Sequence, residues 1–506
     1  MADCHKPRHA FTILVENPDA AKTLLALGLL VIIQIVPNTL VVNDLQGKYW
    51  EKRMAEYQSI INIMMFTLAF FATGPLGRLG DRFGNRLAVA LVCLCTAMPS
   101  VVLLAFGPSE VGLTAWGVAR VLSGLSGASF SGSPAVYALI NEVSHPDDVE
   151  TLLGLAYASC AVFWMLGSFL GLAILHVGKP TGVLWFGTAL SFVVLAVIAS
   201  IGGRKDVASD LERQMPARDS PESTEGGGAS DTGKAIGSSR SPCTDLIASF
   251  LFAYGNATLC SLCVIAALVS IPETVLFDVN FQFVFSNLGI LGEDKAIGGQ
   301  RRIAAFTCAI ATQISLVLGC YTAGVLSKKY SSRRVLAALV PITAVLQSLA
   351  ALVAVFPHMW AVALASLFLG FSLMVLPPLQ ALVAQLAPPD RVSEAMGTVG
   401  AFKCMASLCG NIFVICGVPL LQRTGMQQPL WPVYPVCGLL TLSALLFVRR
   451  LPVRATSEAK ANATATEAMC AIWPVNDNEH KAESETGIIS TDAEGVSTAA
   501  ASEYDL

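Results

Sequence analysis

The sequence is dominated by apolar runs of about twenty residues, the length an α-helix needs to cross about 30 Å of hydrocarbon. Twelve such segments can be marked, near 23–44, 57–76, 87–107, 112–141, 151–176, 182–202, 249–279, 302–327, 334–356, 359–385, 394–421 and 430–449. They are continuous rather than alternating, and a bilayer tolerates only helices or closed barrels as spanning structures. An all-α membrane protein is therefore expected. Composition agrees: 13% of residues are charged and 54% hydrophobic, against roughly 25% charged in a soluble domain. The first run is too long for the apolar core of a signal peptide and reads as an uncleaved first span.

A polar stretch rich in Ser, Gly and Pro at 203–245 separates six runs from six and reads as a flexible cytoplasmic linker. The expected organisation is an N-terminal arm over 1–21, a six-helix bundle over 22–202, the linker, a second bundle over 246–450 and a disordered acidic tail over 451–506. An even number of spans puts both termini on one side. The loops after spans two and eight, the linker and the terminal arms hold most of the 32 Lys and Arg residues, which by the positive-inside rule makes that side cytoplasmic. The N-x-T sequons at Asn256 and Asn462 are then expected to be unused.

The charged turn "GRLGDRFGNR" at 77–86 returns in eroded form as "GVLSKKYSSR" at 324–333. Gly77 matches Gly324, Arg82 matches Lys329 and Arg86 matches Arg333, whereas Asp81 is matched by Lys328. "PNTLVVND" at 37–44 is echoed by "PETVLFDV" at 272–279, and "PDDVETLLG" at 146–154 by "PDRVSEAMG" at 389–397. Three matches in the same order and at nearly constant spacing predict a duplicated six-helix unit. Repeats of this kind place a transport site between the halves, near the bilayer midplane.

Six helices, a linker and six more, with a G-x-L-x-D-R-x-G-x-R turn, resemble the major facilitator superfamily. The turn is carried by Gly77, Leu79, Asp81, Arg82, Gly84 and Arg86. A second family motif resembles "RVLSG", Arg120 to Gly124, followed by Gly127. The family's antiporter motif is matched only as "GSFLG", Gly167 to Gly171, with Ser168 in the proline position. The "SPAVYALINEVSHPDD" stretch is most similar to the tetracycline-exporter-like or drug–proton antiporter branch. The resemblance implies twelve transmembrane helices arranged as two pseudo-symmetric six-helix bundles. It also implies a cytoplasmic gate at 77–86, with Gly324, Lys328, Lys329 and Arg333 as its counterpart, and a role for Arg120 in proton coupling.

Read on their own chemistry, the same residues leave alternatives. A carboxylate at Asp81 can cap a neighbouring helix N-terminus, while Arg82 and Arg86 suit acids or helix C-termini. Arg120 in hydrocarbon is a functional candidate by default, or it snorkels to headgroups. Lys403 lies near the midplane and needs a counter-charge, with Glu273 and Asp278 as candidates; it favours an anionic or carbonyl-bearing solute, or forms a structural ion pair. Asp44, Glu273 and Asp278 are expected at the outer ends of spans one and seven, where Glu273, after Pro272, is the candidate proton carrier unless these are solvated helix ends. Gln34, Asn38, Tyr137 and Gln380 offer hydrogen bonds to a cavity, and Gly124, Gly127, Gly167 and Gly171 offer close helix packing.

No catalytic constellation accompanies them. The six histidines lack metal-ligand spacing, and the "CSLC" pair Cys260–Cys263 has no second pair and sits in an apolar run. No phosphate-cradling glycine loop provides for ATP, and no basic patch with aromatics provides for nucleic acid. No cofactor or metal is expected. The expected partners are a small-molecule substrate, the lipid bilayer and, if transport is coupled, protons, with the chain acting as a monomer. The leading reading is a proton-coupled secondary transporter working by alternating access. Facilitated uniport, or a non-transporting sensor or scaffold on the same fold, are the alternatives.

Overall fold

The computed structural model describes residues 10–41, 45, 54–127, 134–177, 180–202, 250–287, 297–356, 359–388, 390–417 and 431–452. The expected linker, the acidic tail from 453 onward, the first nine residues and Asp44 lie outside that set. All the regular structure among the described residues is helical. A short helix α1 (Ala10–Glu16) leads into α2 (Pro18–Leu40), followed by α3 (Met54–Phe83), α4 (Asn85–Phe106), α5 (Glu110–Leu122), α6 (Pro134–Val143), α7 (Val149–Val177) and α8 (Pro180–Ala199). After the linker come α9 (Ala257–Asn287), α10 (Ile297–Tyr330), α11 (Ser332–Leu349), α12 (Leu352–Val355), α13 (Met359–Ser372), α14 (Leu376–Leu386), α15 (Val392–Ile412) and α16 (Val433–Arg450).

Among the described residues, ten helical spans are long and apolar enough to cross a membrane. The two other expected spans are interrupted. At the fourth, the "SGLSG" sequence lets hydroxyls bond back to the backbone, Ser123 to the Arg120 carbonyl at 2.7 Å and Ser126 to the Ser123 carbonyl at 2.6 Å. The α-helix tightens into a 3-10 turn and stops at Gly127, whose φ of +84° suits glycine. At the ninth, Arg333 and Arg334 sit in the first turn of α11, and α12 carries the span onward.

The outer faces are as greasy as the interior. Phe192, Val193, Leu439 and Leu446 are exposed on α8 and α16, as lipid-facing side chains are. The core lies where the helices converge, with α3 packed along α15, α7 along α10, and α2 along α7. Both halves open with the same device. Asn17 Oδ1 accepts the Ala20 N–H at 3.0 Å at the start of α2, and Asn256 Oδ1 accepts those of Thr258 and Leu259 at 3.1 and 3.2 Å at the start of α9. Asn256, one of the two sequons, is therefore a helix cap. Internal prolines also correspond, Pro37 in α2 and Pro272 in α9.

The turns at 77–86 and 324–333 are more helical than a loop. α3 runs to Phe83 and α4 starts at Asn85, so the break is Gly84 alone, at φ 94° and ψ 142°. In the second half the break is Ser331, at φ 72° and ψ 139°. The backbone bends the same way twice, once through a glycine and once through a residue that bears a steric cost there.

Candidate functional site

The end of α3 meets the start of α15 across the seam between the halves. Asp81 Oδ1 accepts the Ser393 N–H at 3.0 Å and its Oδ2 accepts the Glu394 N–H at 2.8 Å. Two of the orphan donors that open α15 are thereby satisfied by a carboxylate at the positive end of the helix dipole. Glu394, with its side chain only 4% exposed, is held by two guanidinium groups: Arg78 Nε at 2.6 Å from Oε1 and Arg391 Nη2 at 2.6 Å from Oε2. Arg391 in turn stacks over the Phe252 ring at 3.7 Å. The backbones can come this close because Gly77 and Gly397 face each other: a Cβ on Gly397 would lie 2.5 Å from the Thr73 carbonyl oxygen and 3.3 Å from Gly77 Cα.

The counterpart seam joins α10 to α7. A Cβ on Gly154 would lie 2.7 Å from Gly324 Cα, and one on Gly324 would lie 2.8 Å from Gly154 Cα. The four glycines are those of the repeats, 77 with 324 and 154 with 397. Lys328 Nζ reaches Asp148 Oδ1 at 2.7 Å, and Glu150 Oε1 accepts from Ser332 Oγ at 2.8 Å and Gln385 Nε2 at 2.6 Å. The unexpected lysine opposite Asp81 now has a reason. Where α15 is preceded by Arg391, α7 is preceded by Asp148, so the sign has changed on both sides of the seam.

The remaining turn residues act outside the seams. Arg82 is exposed in the last turn of α3. Arg86 is half-buried at the start of α4, with Nη2 buried and without a hydrogen-bond partner among the described residues. Lys329 lies over the Tyr330 ring at 5.0 Å, and Arg333 Nη2 donates to the Arg449 carbonyl at 2.8 Å, capping the end of α16.

Deeper in the molecule, Lys403 on α15 and Glu273 on α9 form an ion pair with Nζ 3.8 Å from Oε2, their side chains 14% and 20% exposed. Glu273 Oε2 is buried and has no hydrogen-bond partner among the described residues. Glu273 is mid-helix rather than at an outer end: the apolar run stops near 279, but α9 continues to Asn287. Asp278 is on the same helix, its side chain outside the described set. Beside the pair, Thr274 Oγ1 donates to Ser407 Oγ at 3.1 Å, and Asn411 Nδ2 to the Ser407 carbonyl at 2.8 Å. Tyr157 on α7 and Cys320 on α10 lie within electrostatic range of Glu273.

Arg120 belongs to a different place. It is 6% exposed and, with the Gln34 amide oriented to accept, its Nη1 and Nη2 lie 2.9 and 3.2 Å from the Gln34 oxygen. Gln34, Asn38, Thr96, Ser100 and Arg120 line a small polar pocket among α2, α4 and α5, inside the first half. Tyr137 is fully packed, stacked on Tyr157 with ring centroids 4.8 Å apart. Gln380 is buried on α14. Gly124 abuts the Met65 carbonyl, Gly167 rests on Ile32 and Ile35, and Gly171 is buried on α7.

Two halves joined by crossed glycine contacts at one face, with buried charge between long helices whose outer faces are apolar, have the build of an integral multi-pass membrane protein. The sequence pattern described as Major Facilitator Superfamily matches twice, over residues 24–292 and 274–490, and the chain belongs to that family. The fold is shared with solved structures. One is the human organic anion transporter MFSD10 (TETRAN), 13% identical, covering 85% of this chain and 99% of that one, with a TM-score of 0.57. Another is the E. coli fucose:proton symporter FucP, 12% identical, covering 85% and 98%, with a TM-score of 0.54. The proton:xylose symporter XylE bound to 6-bromo-6-deoxy-D-glucose is 12% identical, covering 86% and 96%, with a TM-score of 0.60. Comparison with curated proteins gives no match.

Proposed function

We propose that this transporter moves a small organic solute by alternating access and couples the movement to protons through Glu273. The bundles over 22–202 and 246–450 rock about a central site, and the α3–α15 and α10–α7 seams latch one face, the cytoplasmic one in this reading, which the excess of Lys and Arg on that side supports. The observation that carries the reading is the Glu273–Lys403 pair, whose carboxylate oxygen Oε2 is buried without a hydrogen-bond donor among the described residues. A charge kept in a bilayer interior at such cost is a functional candidate. Two of the fold relatives, FucP and XylE, are proton symporters, which supports coupling as a mode open to this architecture.

Purified protein in proteoliposomes tests this directly. An imposed pH gradient should drive uptake, and Glu273→Gln should keep solute exchange while losing gradient-driven accumulation. Equal uptake with and without the gradient would leave uniport as the mode, and unchanged accumulation by Glu273→Gln would remove that residue from the coupling step.

A further inference from the structure

We infer that residues 250–255, just ahead of α9, are a strap across the α3–α15 seam: the Phe250 ring is wedged between the two halves, moves with the second, and must leave Phe70 before the seam can open. The inference rests on that part of the proposed function in which the bundles rock, and adds what holds the closed state. Residues 250–255 are helical, and the Asn256 N–H donates to the Ala253 carbonyl at 3.3 Å before Asn256 caps α9. Phe250 lies against Phe70 of α3 with ring centroids 5.1 Å apart at 38°, and against Phe402 of α15 at 6.0 Å and 62°. Tilted and edge-on pairs of this kind are favoured by the charge distribution of aromatic rings.

The wedge sits well inside the seam. Phe70 is about two turns of α3 further in than Gly77, and Phe402 about one and a half turns of α15 further in than Gly397. Between these helices Met65, Ala69 and Cys404 form a small buried cluster, with Phe70 packed against it. The ring therefore joins the helices at a depth that the glycine contact and the ion pairs do not reach.

Its attachments are unequal. The strap is continuous with α9, which packs along α15 and α16 of the second half. Arg391, immediately before α15, places its guanidinium over the Phe252 ring at 3.7 Å, a cation–π contact. Chain continuity, Arg391 and Phe402 all tie the strap to the second half, whereas Phe70 ties it to the first. When the bundles part, Phe250 stays with Phe402 and gives up Phe70. Arg391 also holds Glu394, which Arg78 reaches from the first half, so the strap and the ion pairs of the seam share an anchor.

Hydrogen–deuterium exchange of the full chain in lipid nanodiscs tests this with no solute present. The Ser393 and Glu394 amides donate across the seam to Asp81, so their exchange reports its opening. Phe250→Ala should speed exchange of the 392–397 segment by roughly threefold to tenfold, the worth of one aromatic pair, and leave the middle of α4 unchanged. Phe250→Tyr, which keeps the ring, should stay within about twofold of the parent protein. Phe70→Ala should act like Phe250→Ala, and the double variant should add nothing to either. Phe402→Ala should act clearly less. Seam exchange that is measurable in the parent protein and unchanged in Phe250→Ala, whatever the melting temperature of the variant, would overturn the strap. Multiplied effects in the double variant would overturn Phe70 as the contact that breaks, and Phe402→Ala matching Phe70→Ala would overturn the assignment of Phe250 to the second half. Seam segments that exchange no faster than the middle of α4, in the parent protein and every variant alike, would overturn the rocking of the bundles as well.

Discussion

Glu394 holds Arg78 and Arg391 at once, and this sharing decides which substitution costs most. Losing Arg78 leaves the carboxylate still paired with Arg391. Losing the carboxylate leaves two guanidinium groups facing each other at a seam where Arg78 is only 13% exposed. Breaking a buried pair from one side costs about 3–5 kcal/mol, and the surviving partner should cut the Arg78→Gln penalty to about 1 kcal/mol. Glu394→Gln should therefore lower the melting temperature clearly more than Arg78→Gln. Thermal unfolding of the two variants in the same detergent checks the order, and equal shifts would mean that Glu394 is not shared. None of this was legible at the residue scale in the sequence. Asp81 announced itself as a cap by its place in a basic, glycine-rich turn, but the helix whose N–H groups it accepts begins more than three hundred residues later. Glu394 was visible only as one acid in the eroded repeat "PDRVSEAMG".

At the scale of elements, the repeat reads most clearly where the chain bends. Gly84 and Ser331 adopt nearly the same backbone angles, at 94° and 142° against 72° and 139°. A side chain in that region costs about 1–3 kcal/mol, part of which glycine's freedom in the unfolded chain would offset. Ser331→Gly should accordingly stabilise the protein by about 1 kcal/mol, seen as a higher midpoint in thermal unfolding; a lower midpoint would mean that the serine's contacts outweigh its backbone cost. Helix positions were readable because lipid demands long apolar runs. Two are not single rods. At the fourth, the "SGLSG" hydroxyls that end α5 act on the backbone rather than on hydropathy, and at the ninth Arg333 and Arg334 occupy the first turn of α11 while the short α12 carries the span onward.

At the scale of the whole molecule, duplication followed by divergence has produced two seams of the same shape and opposite charge arrangement. Lys328 and Asp148 have side chains 26% and 9% exposed, so Lys328→Asp alone should cost the closed face about 2 kcal/mol by setting two carboxylates together. Combining it with Asp148→Lys should recover most of the lost transport in proteoliposomes. Failure of the reversed pair to recover would show that the seam depends on more than this contact. The twelve-span, two-half plan was legible from hydropathy and internal repeats. The ion pair was legible as a requirement, since Lys403 needed a counter-charge, and Glu273 is the candidate that α9 brings within 3.8 Å of it.

The segment that follows the linker adds a mechanical condition. Phe250 lies between Phe70 on α3 and Phe402 on α15, with ring centroids 5.1 and 6.0 Å away, and Phe252 sits beneath Arg391. Those two rings belong to opposite halves, so the halves cannot draw apart there until Phe250 surrenders one of them. The covalent tether between the bundles thus ends as a bolt across the seam between α3 and α15, and any tug on residue 250 is delivered straight to that contact.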